Sequence, residues 1–79
     1  MVRLRKIIRN NGYIFCQAFV EDCQEPVQLA LNETSAELNN YKLPENYEWC
    51  TYHIAYAKRY LQSLIGKDIE TQARNIVWC

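Results

Sequence analysis

The segment from Pro44 to Gly66 constrains the fold most, because its pattern predicts one long helix with an unusually wide apolar surface. Successive residues of an α-helix lie about 100° apart, and this spacing produces two apolar stripes side by side. The first stripe comprises Tyr47, Cys50, Ile54, Ala57, Leu61, Leu64 and Ile65. The second comprises Trp49, Tyr52, His53, Tyr56 and Tyr60. Together they span roughly 220°, whereas a surface helix usually buries an arc of about 100°. One stripe packs on the protein's own core, and the other needs a second contact.

Both ends of this helix carry local signals. Proline is favoured at the first helical position, and Glu45 and Glu48 would complement the positive end of the helix dipole. Gly66 is a favourable stop at the other end, next to Lys67. We therefore expect the helix over about residues 44–65.

Three strands are predicted before the helix. Residues 2–9 alternate and then change phase at Lys6, which indicates a strand with a bulge or an edge position. Asn11-Gly12 predicts a tight hairpin turn into a second strand over 13–21, whose even positions face the helix. A turn at 22–26 and a third strand at 27–31 follow.

The remaining segments complete a small α+β domain. Residues 32–43 are compatible with one helical turn at 35–38 or with a loop over the sheet edge, and a last strand is expected over 71–78. The order β-β-β-α-β predicts a two-layer sandwich in which one helix packs on one face of a mainly antiparallel sheet. All 79 residues form a single domain, 1–79.

Charge is unevenly distributed along a chain whose formal net charge is zero. The first twenty residues are basic without any acid, and residues 21–48 hold seven acids against Lys42 alone. Overall attraction to nucleic acid or to an anionic membrane is therefore weak. The sequence has no leader, membrane-spanning run or lipidation signal, so we predict a cytoplasmic protein with reduced cysteines and no membrane contact.

Two surfaces are predicted to bind another protein. The first is the aromatic stripe, because aromatic side chains with polar tips are enriched at interfaces; cover by residues 32–43 is the competing interpretation. The second is the sheet face away from the helix, which carries Tyr13, Phe15 and Phe19. One helix leaves that face open, which favours a homodimer or a partner protein.

Arg3, Arg5 and Arg9 suggest a different ligand. They could follow a phosphate backbone while Tyr13 and Phe15 stack on bases, which is the chemistry of a single-stranded nucleic-acid-binding protein. The competing interpretation is that these charges protect an exposed sheet edge from aggregation. We favour edge protection because the net charge is zero.

Cys50 and His53 lie three residues apart, a spacing that brings their side chains together on a helix. Zinc would need two further ligands, and Cys16, Cys23 and Cys79 follow no paired spacing. A thiol nucleophile would need an orienting acid and an oxyanion donor, which the sequence does not identify. We predict no metal site, no cofactor, no catalytic residue and no enzymatic activity.

The function that the sequence favours is a small non-enzymatic protein-binding module. Its size fits the accessory and inhibitor proteins of bacteria, phages and mobile elements, although nothing in the sequence identifies the partner. Single-stranded nucleic-acid binding through the basic first strand is the alternative. A small metal-binding or thiol-dependent protein is the third interpretation.

Overall fold

A computed structural model describes residues 1–69 and 72–77 and shows one helix on one face of a five-stranded sheet. In chain order the elements are β1 (Val2–Asn10), β2 (Tyr13–Val20), β3 (Val27–Asn32), β4 (Glu37–Leu38), α1 (Thr51–Ser63) and β5 (Gln72–Ile76). The strand order is β4-β3-β2-β1-β5, and each neighbouring pair is antiparallel. The predicted α+β sandwich is confirmed, with the two-residue β4 as an addition. The predicted ends of the last strand, Thr71 and Trp78, lie outside the described residues. The described chain contains no helix with the length and apolarity needed to cross a membrane.

The hairpin between β1 and β2 follows its sequence signals. Asn11 and Gly12 have φ angles of 53° and 79°, and a two-residue hairpin loop of this kind requires positive φ at both positions. The pairing register shifts between Arg5 and Ile8, and Lys6 adopts a φ of 53°. This bulge confirms the predicted phase change, and it returns Ile7 to the buried face after Val2 and Leu4.

Strand β1 lies inside the sheet, so of the two predicted explanations the bulge is confirmed and the edge position is wrong. Val2 pairs with Val20 of β2 on one side and with Ile76 of β5 on the other. The sequence pattern of β1 is compatible with either position, because the strand that covers its second edge comes from the far end of the chain. Arg3 and Arg5 consequently lie on the outer face of the sheet, whereas Arg9, opposite the buried Ile14, lies on the helix side. None of the three protects an exposed edge.

The core lies between the sheet and α1. On β2 the even positions are buried, as predicted, and face the same layer as the alternating buried positions of β1 and β3. The helix contributes the first predicted stripe, of which Cys50, Ile54, Ala57, Leu61 and Leu64 are buried. Burial of these aliphatic side chains is the main stabilising contribution available to so small a domain.

The helix begins at Thr51, seven residues later than the sequence signals suggest. The backbone makes two tight turns first: the N–H of Tyr47 donates to the Pro44 carbonyl at 2.9 Å, and that of Cys50 donates to the Tyr47 carbonyl at 3.0 Å. Asn46 has a φ of 70°, which is incompatible with a continuous right-handed helix. A tertiary contact fixes this segment, since the Tyr47 hydroxyl donates to Asp22 at 2.7 Å. At the other end, Gly66 has a φ of 77° just beyond the last turn, as expected for a helix stop.

Residues 32–43 form a hairpin arm rather than a helical turn or a simple loop. The Asn32 side chain accepts hydrogen bonds from the backbone N–H groups of Thr34 and Ser35, at 2.8 and 3.2 Å. The chain then reverses through Ala36, whose φ is 61°, and β4 pairs with the end of β3. The local asparagine contacts therefore win over the weak helical propensity of residues 35–38.

Two identical substitutions should change stability in opposite directions. Ala36→Gly should stabilise the protein by about 0.5–1 kcal/mol, because a Cβ in the left-handed region costs more than the extra chain entropy of glycine. Ala55→Gly, at an exposed position inside α1, should destabilise it by about 1 kcal/mol. Urea denaturation followed by circular dichroism measures both, and a loss of stability in Ala36→Gly would contradict the assigned turn conformation.

Candidate functional site

The aromatic stripe of α1 is divided between solvent and internal contacts. Trp49 is 62% exposed and Tyr52 is 75% exposed, the two largest aromatic exposures in the described chain. His53 is only 5% exposed, and Tyr56 and Tyr60 are half-buried. The open part of the stripe is therefore the pair at the start of the helix, which we call the Trp49–Tyr52 patch.

The indole of Trp49 is held in a defined orientation although most of its surface is exposed. Its Nε1–H donates to the Asn46 carbonyl at 3.0 Å. Its ring also meets the His53 ring edge-on, with centroids 5.5 Å apart and an interplanar angle of 85°. Asn46, which adopts the left-handed conformation, belongs to the turn whose carbonyl holds the indole ring. Helical spacing placed Trp49 on the second stripe, but the contacts that order its ring could not be read from the sequence pattern.

His53 attaches the helix to the end of β2. Its Nε2 lies 2.7 Å from Oε1 of Glu21, and the Met1 amino group lies 3.2 Å from the same oxygen. Two hydrogen bonds hold the pKa of Glu21 below its usual range. The larger effect comes from His53 and the smaller from the Met1 amino group. The structure therefore places His53 in an internal polar contact and outside the exposed part of the stripe.

Tyr60 is covered by β5. Its hydroxyl donates to Oε1 of Gln72 at 3.3 Å, and the Arg74 guanidinium lies 5.3 Å from its ring centroid. The 32–43 segment, whose cover of the stripe was the competing interpretation, contacts the opposite flank of α1, where Gln62 donates to the Ala36 carbonyl at 2.9 Å. Tyr56 has the Arg59 guanidinium 6.0 Å from its ring centroid.

The sheet face away from α1 is open and carries the three predicted aromatic residues. Tyr13 is 40% exposed and Phe15 is 39% exposed, and their ring centroids are 6.0 Å apart. Phe19 is half-buried, because the Arg3 guanidinium lies 5.3 Å from its ring centroid. We call this surface the open sheet face.

The three predicted arginines have different surroundings. Arg3 donates to the carbonyls of Glu21 and Cys23, and Arg5 donates to the Leu4 carbonyl and to Oδ1 of Asn75. Arg9 instead makes a bidentate ion pair with Glu33, at 2.7 and 3.0 Å.

Arg9 also secures the end of the helix. Its guanidinium donates to the carbonyls of Leu64 and Lys67, which lie at and just beyond the C-terminus of α1. The hydrogen bond with Arg9 lowers the pKa of Glu33 and raises that of the arginine itself. This structural role was missed from the sequence, because the helix end lies more than fifty residues away along the chain.

The thiol of Cys50 lacks the surroundings of a nucleophile. Cys50 is fully buried, and burial raises the pKa of its thiol, whereas a catalytic thiol needs a lowered pKa. Burial likewise raises the pKa of Cys16 to about 12. Among residues 1–69 and 72–77 the fold brings together no group of three or more side chains that could hold a metal ion. Cys79 lies outside the described residues.

Compared with protein-family models, with curated proteins and with solved structures, the chain shows no match.

Alkylation should distinguish buried thiols from a reactive one. We expect iodoacetamide at pH 7.5 to leave Cys16 and Cys50 unmodified in the native protein, because both thiols are buried and protonated. In 8 M urea both should be labelled within the same time, as peptide mass spectrometry would show. Rapid native labelling of Cys50 would contradict the inert environment and restore the thiol-dependent interpretation.

The contact between Glu21 and His53 should make stability depend on pH. A carboxyl group whose pKa is lowered by folding stabilises the protein above its ordinary value of 4.5, and this stabilisation is lost as the pH falls below that value. Wild type should therefore lose more stability than Glu21→Gln between pH 5 and pH 3. Urea denaturation at each pH measures the free energy of unfolding. An equal loss of that free energy in the two proteins over this pH range would contradict the contact.

Proposed function

We propose that the protein is a non-enzymatic module that binds another protein through the Trp49–Tyr52 patch. The observation that supports this most is the exposure of two large aromatic side chains close together, 62% for Trp49 and 75% for Tyr52. Tryptophan and tyrosine dominate the binding energy of many protein interfaces. Tyr56 and Tyr60 would lie at the side of this contact, with Tyr60 already engaged by β5.

The order of the patch favours binding. Trp49 is fixed by its hydrogen bond to the Asn46 carbonyl and by the His53 ring, so little side-chain freedom remains to be lost in a complex. Immobilising a flexible side chain costs about 0.5–1.5 kcal/mol on association. A pre-ordered tryptophan avoids most of that cost.

The charges near the patch favour a partner with a basic rim. Glu45 and Glu48 are exposed, and within the described residues neither makes an ion pair. Complementary charges at the rim of an interface mainly increase the association rate. The partner that fits best offers an apolar pocket for the indole, bordered by lysine or arginine.

The absence of a suitable nucleophile among the described groups supports a binding role over a thiol enzyme, since Cys50 is buried with a raised pKa and His53 contacts Glu21. We place the module in the cytoplasm, where Cys16, Cys23 and Cys50 would stay as the free thiols seen in the structure. An accessory or inhibitor role fits a small chain of this kind and belongs to the same proposal.

Binding should depend on the patch and not on the opposite face. The partner is first captured with wild type and purified, and its affinity is then measured for Trp49→Ala, Tyr52→Ala and Phe15→Ala. We expect each patch variant to bind at least about 30-fold more weakly, as truncation of a central aromatic contact does. Phe15→Ala is the matched control, because it removes an exposed aromatic ring from the other face and should bind as wild type does.

Circular dichroism melting accompanies each titration, so that loss of binding is interpreted only for folded variants. Unchanged affinity in both patch variants, or loss of affinity in Phe15→Ala alone, would contradict the proposal.

A further inference from the structure

The open sheet face carries cations that form no ion pair within the described part of the chain. Arg3, Arg5 and Lys6 belong to β1, and within residues 1–69 and 72–77 none of the three takes part in an ion pair. The hydrogen bonds of Arg3 and Arg5 go to carbonyl and amide oxygens, which carry no full charge. Their three positive charges therefore have no ion-pair partner among the described residues.

Glu21 and Asp22 line a shallow depression together with Arg3, and each carboxylate also has a contact on the helix side. Oε1 of Glu21 contacts Nε2 of His53, and Oδ1 of Asp22 accepts the hydrogen bond of the Tyr47 hydroxyl. Three further acids, Glu25, Glu45 and Glu48, line a cleft beside the start of α1. The net charge of zero thus results from opposite signs on different surfaces, and it does not describe the open sheet face.

Aromatic rings lie directly beside these cations. Phe19 lies opposite Arg3, and Gln17 lies opposite Arg5. Phe15 is four residues from Phe19, about 13 Å along the strand, and lies next to Lys6. Phe19 is already covered by Arg3, whereas Phe15 and Tyr13 offer exposed ring surface. A shallow depression beside Phe15 is lined by Lys6, Gln17 and Gln28, so a cation and two amide groups surround a ring.

We propose that the open sheet face binds single-stranded nucleic acid, with phosphates along Arg3, Arg5 and Lys6 and bases stacked on Phe15 and Tyr13. Cations that follow the backbone next to aromatic rings that stack on bases are the two components of such binding. The amides of Gln17 and Gln28 add donors and acceptors for base edges. A single strand fits better than a duplex, because paired bases do not expose their faces to the rings.

A second copy of the chain is a poorer occupant of this face. Stacking two open sheet faces would oppose cations to cations. The carboxylate that the register places on this face, Glu37, already pairs with Lys58. The position of β1 inside the sheet also removes the edge-protection explanation for its arginines. This inference is independent of the Trp49–Tyr52 patch, which lies on the helix layer.

The test measures fluorescence anisotropy of 5′-labelled dT12 and rU12 with the purified full chain. With three phosphate contacts, log K should fall with log salt with a slope of about −2, a roughly 20-fold loss of affinity between 50 and 200 mM NaCl. A 12-base-pair duplex should bind more weakly than either strand. Comparing dT12 with rU12 shows which backbone the face prefers.

Matched variants locate the site. Lys6→Gln should reduce affinity roughly eightfold at 50 mM salt and reduce the slope by about 0.7, whereas Lys42→Gln, the same charge change beside the acidic cleft, should have no effect. Phe15→Leu, which keeps an apolar side chain, should reduce affinity at least about fivefold. Trp49→Leu should bind nucleic acid as wild type does, which separates this site from the proposed protein-binding patch.

Several results would overturn the proposal. These are no saturable binding of either strand at 50 mM salt, equal losses in Lys6→Gln and Lys42→Gln, or tighter binding of the duplex. A dimer in sedimentation velocity that Phe15→Glu abolishes would also overturn it, because a second copy would then occupy the face.

Discussion

The pairing of β1 with β2 on one side and β5 on the other is the constraint on which the remaining structure depends. It places Val2, Leu4 and Ile7 at the centre of the buried layer and brings both ends of the chain into one sheet. A bulge at Lys6 keeps the apolar residues in phase on both sides of it. Because successive side chains of a strand point to opposite faces, the same pairing projects Arg3 and Arg5 outwards. One strand thus determines both the core and the chemistry of the open sheet face.

The helix is fixed to this sheet by polar contacts at its two ends as well as by its apolar stripe. At the start, His53 contacts Glu21 and the preceding turn is attached to Asp22 through Tyr47. At the end, Arg9 binds the terminal carbonyls and Glu33 together. Such contacts add little stability individually at exposed sites, but they determine where the helix begins and ends relative to the strands. The position of Trp49 follows from the first set, because the turn that attaches Tyr47 also directs the indole into solvent.

Local sequence signals predicted those features whose causes are local. The Asn11-Gly12 turn, the bulge at Lys6, the alternating burial of β2 and the stop at Gly66 all depend on nearby residues, and the structure confirms them. The helix start was wrong by seven residues, since Pro44 and two glutamates resemble a helix start while a distant contact imposes turns. The position of β1 in the sheet and the clamp by Arg9 depend on residues 70 and 55 positions away, as in the bonds Arg5 to Asn75 and Arg9 to Leu64. Periodicity carries no information on such partners.

The same limit explains why the candidate surfaces were only partly separated. Helical spacing placed His53 and Tyr60 on one stripe with Tyr52. Whether each side chain is buried depends on neighbours outside the helix, at the end of β2 and on β5, which helical spacing does not reveal. Net charge was similarly misleading, because a sum over the chain cancels a basic sheet face against an acidic cleft that lies by the helix. Electrostatic attraction of a ligand depends on the local arrangement within about a Debye length, near 10 Å at 0.1 M salt, rather than on the total. A domain with zero net charge can therefore carry a basic surface and an acidic one, because the sheet separates the open sheet face from the helix layer.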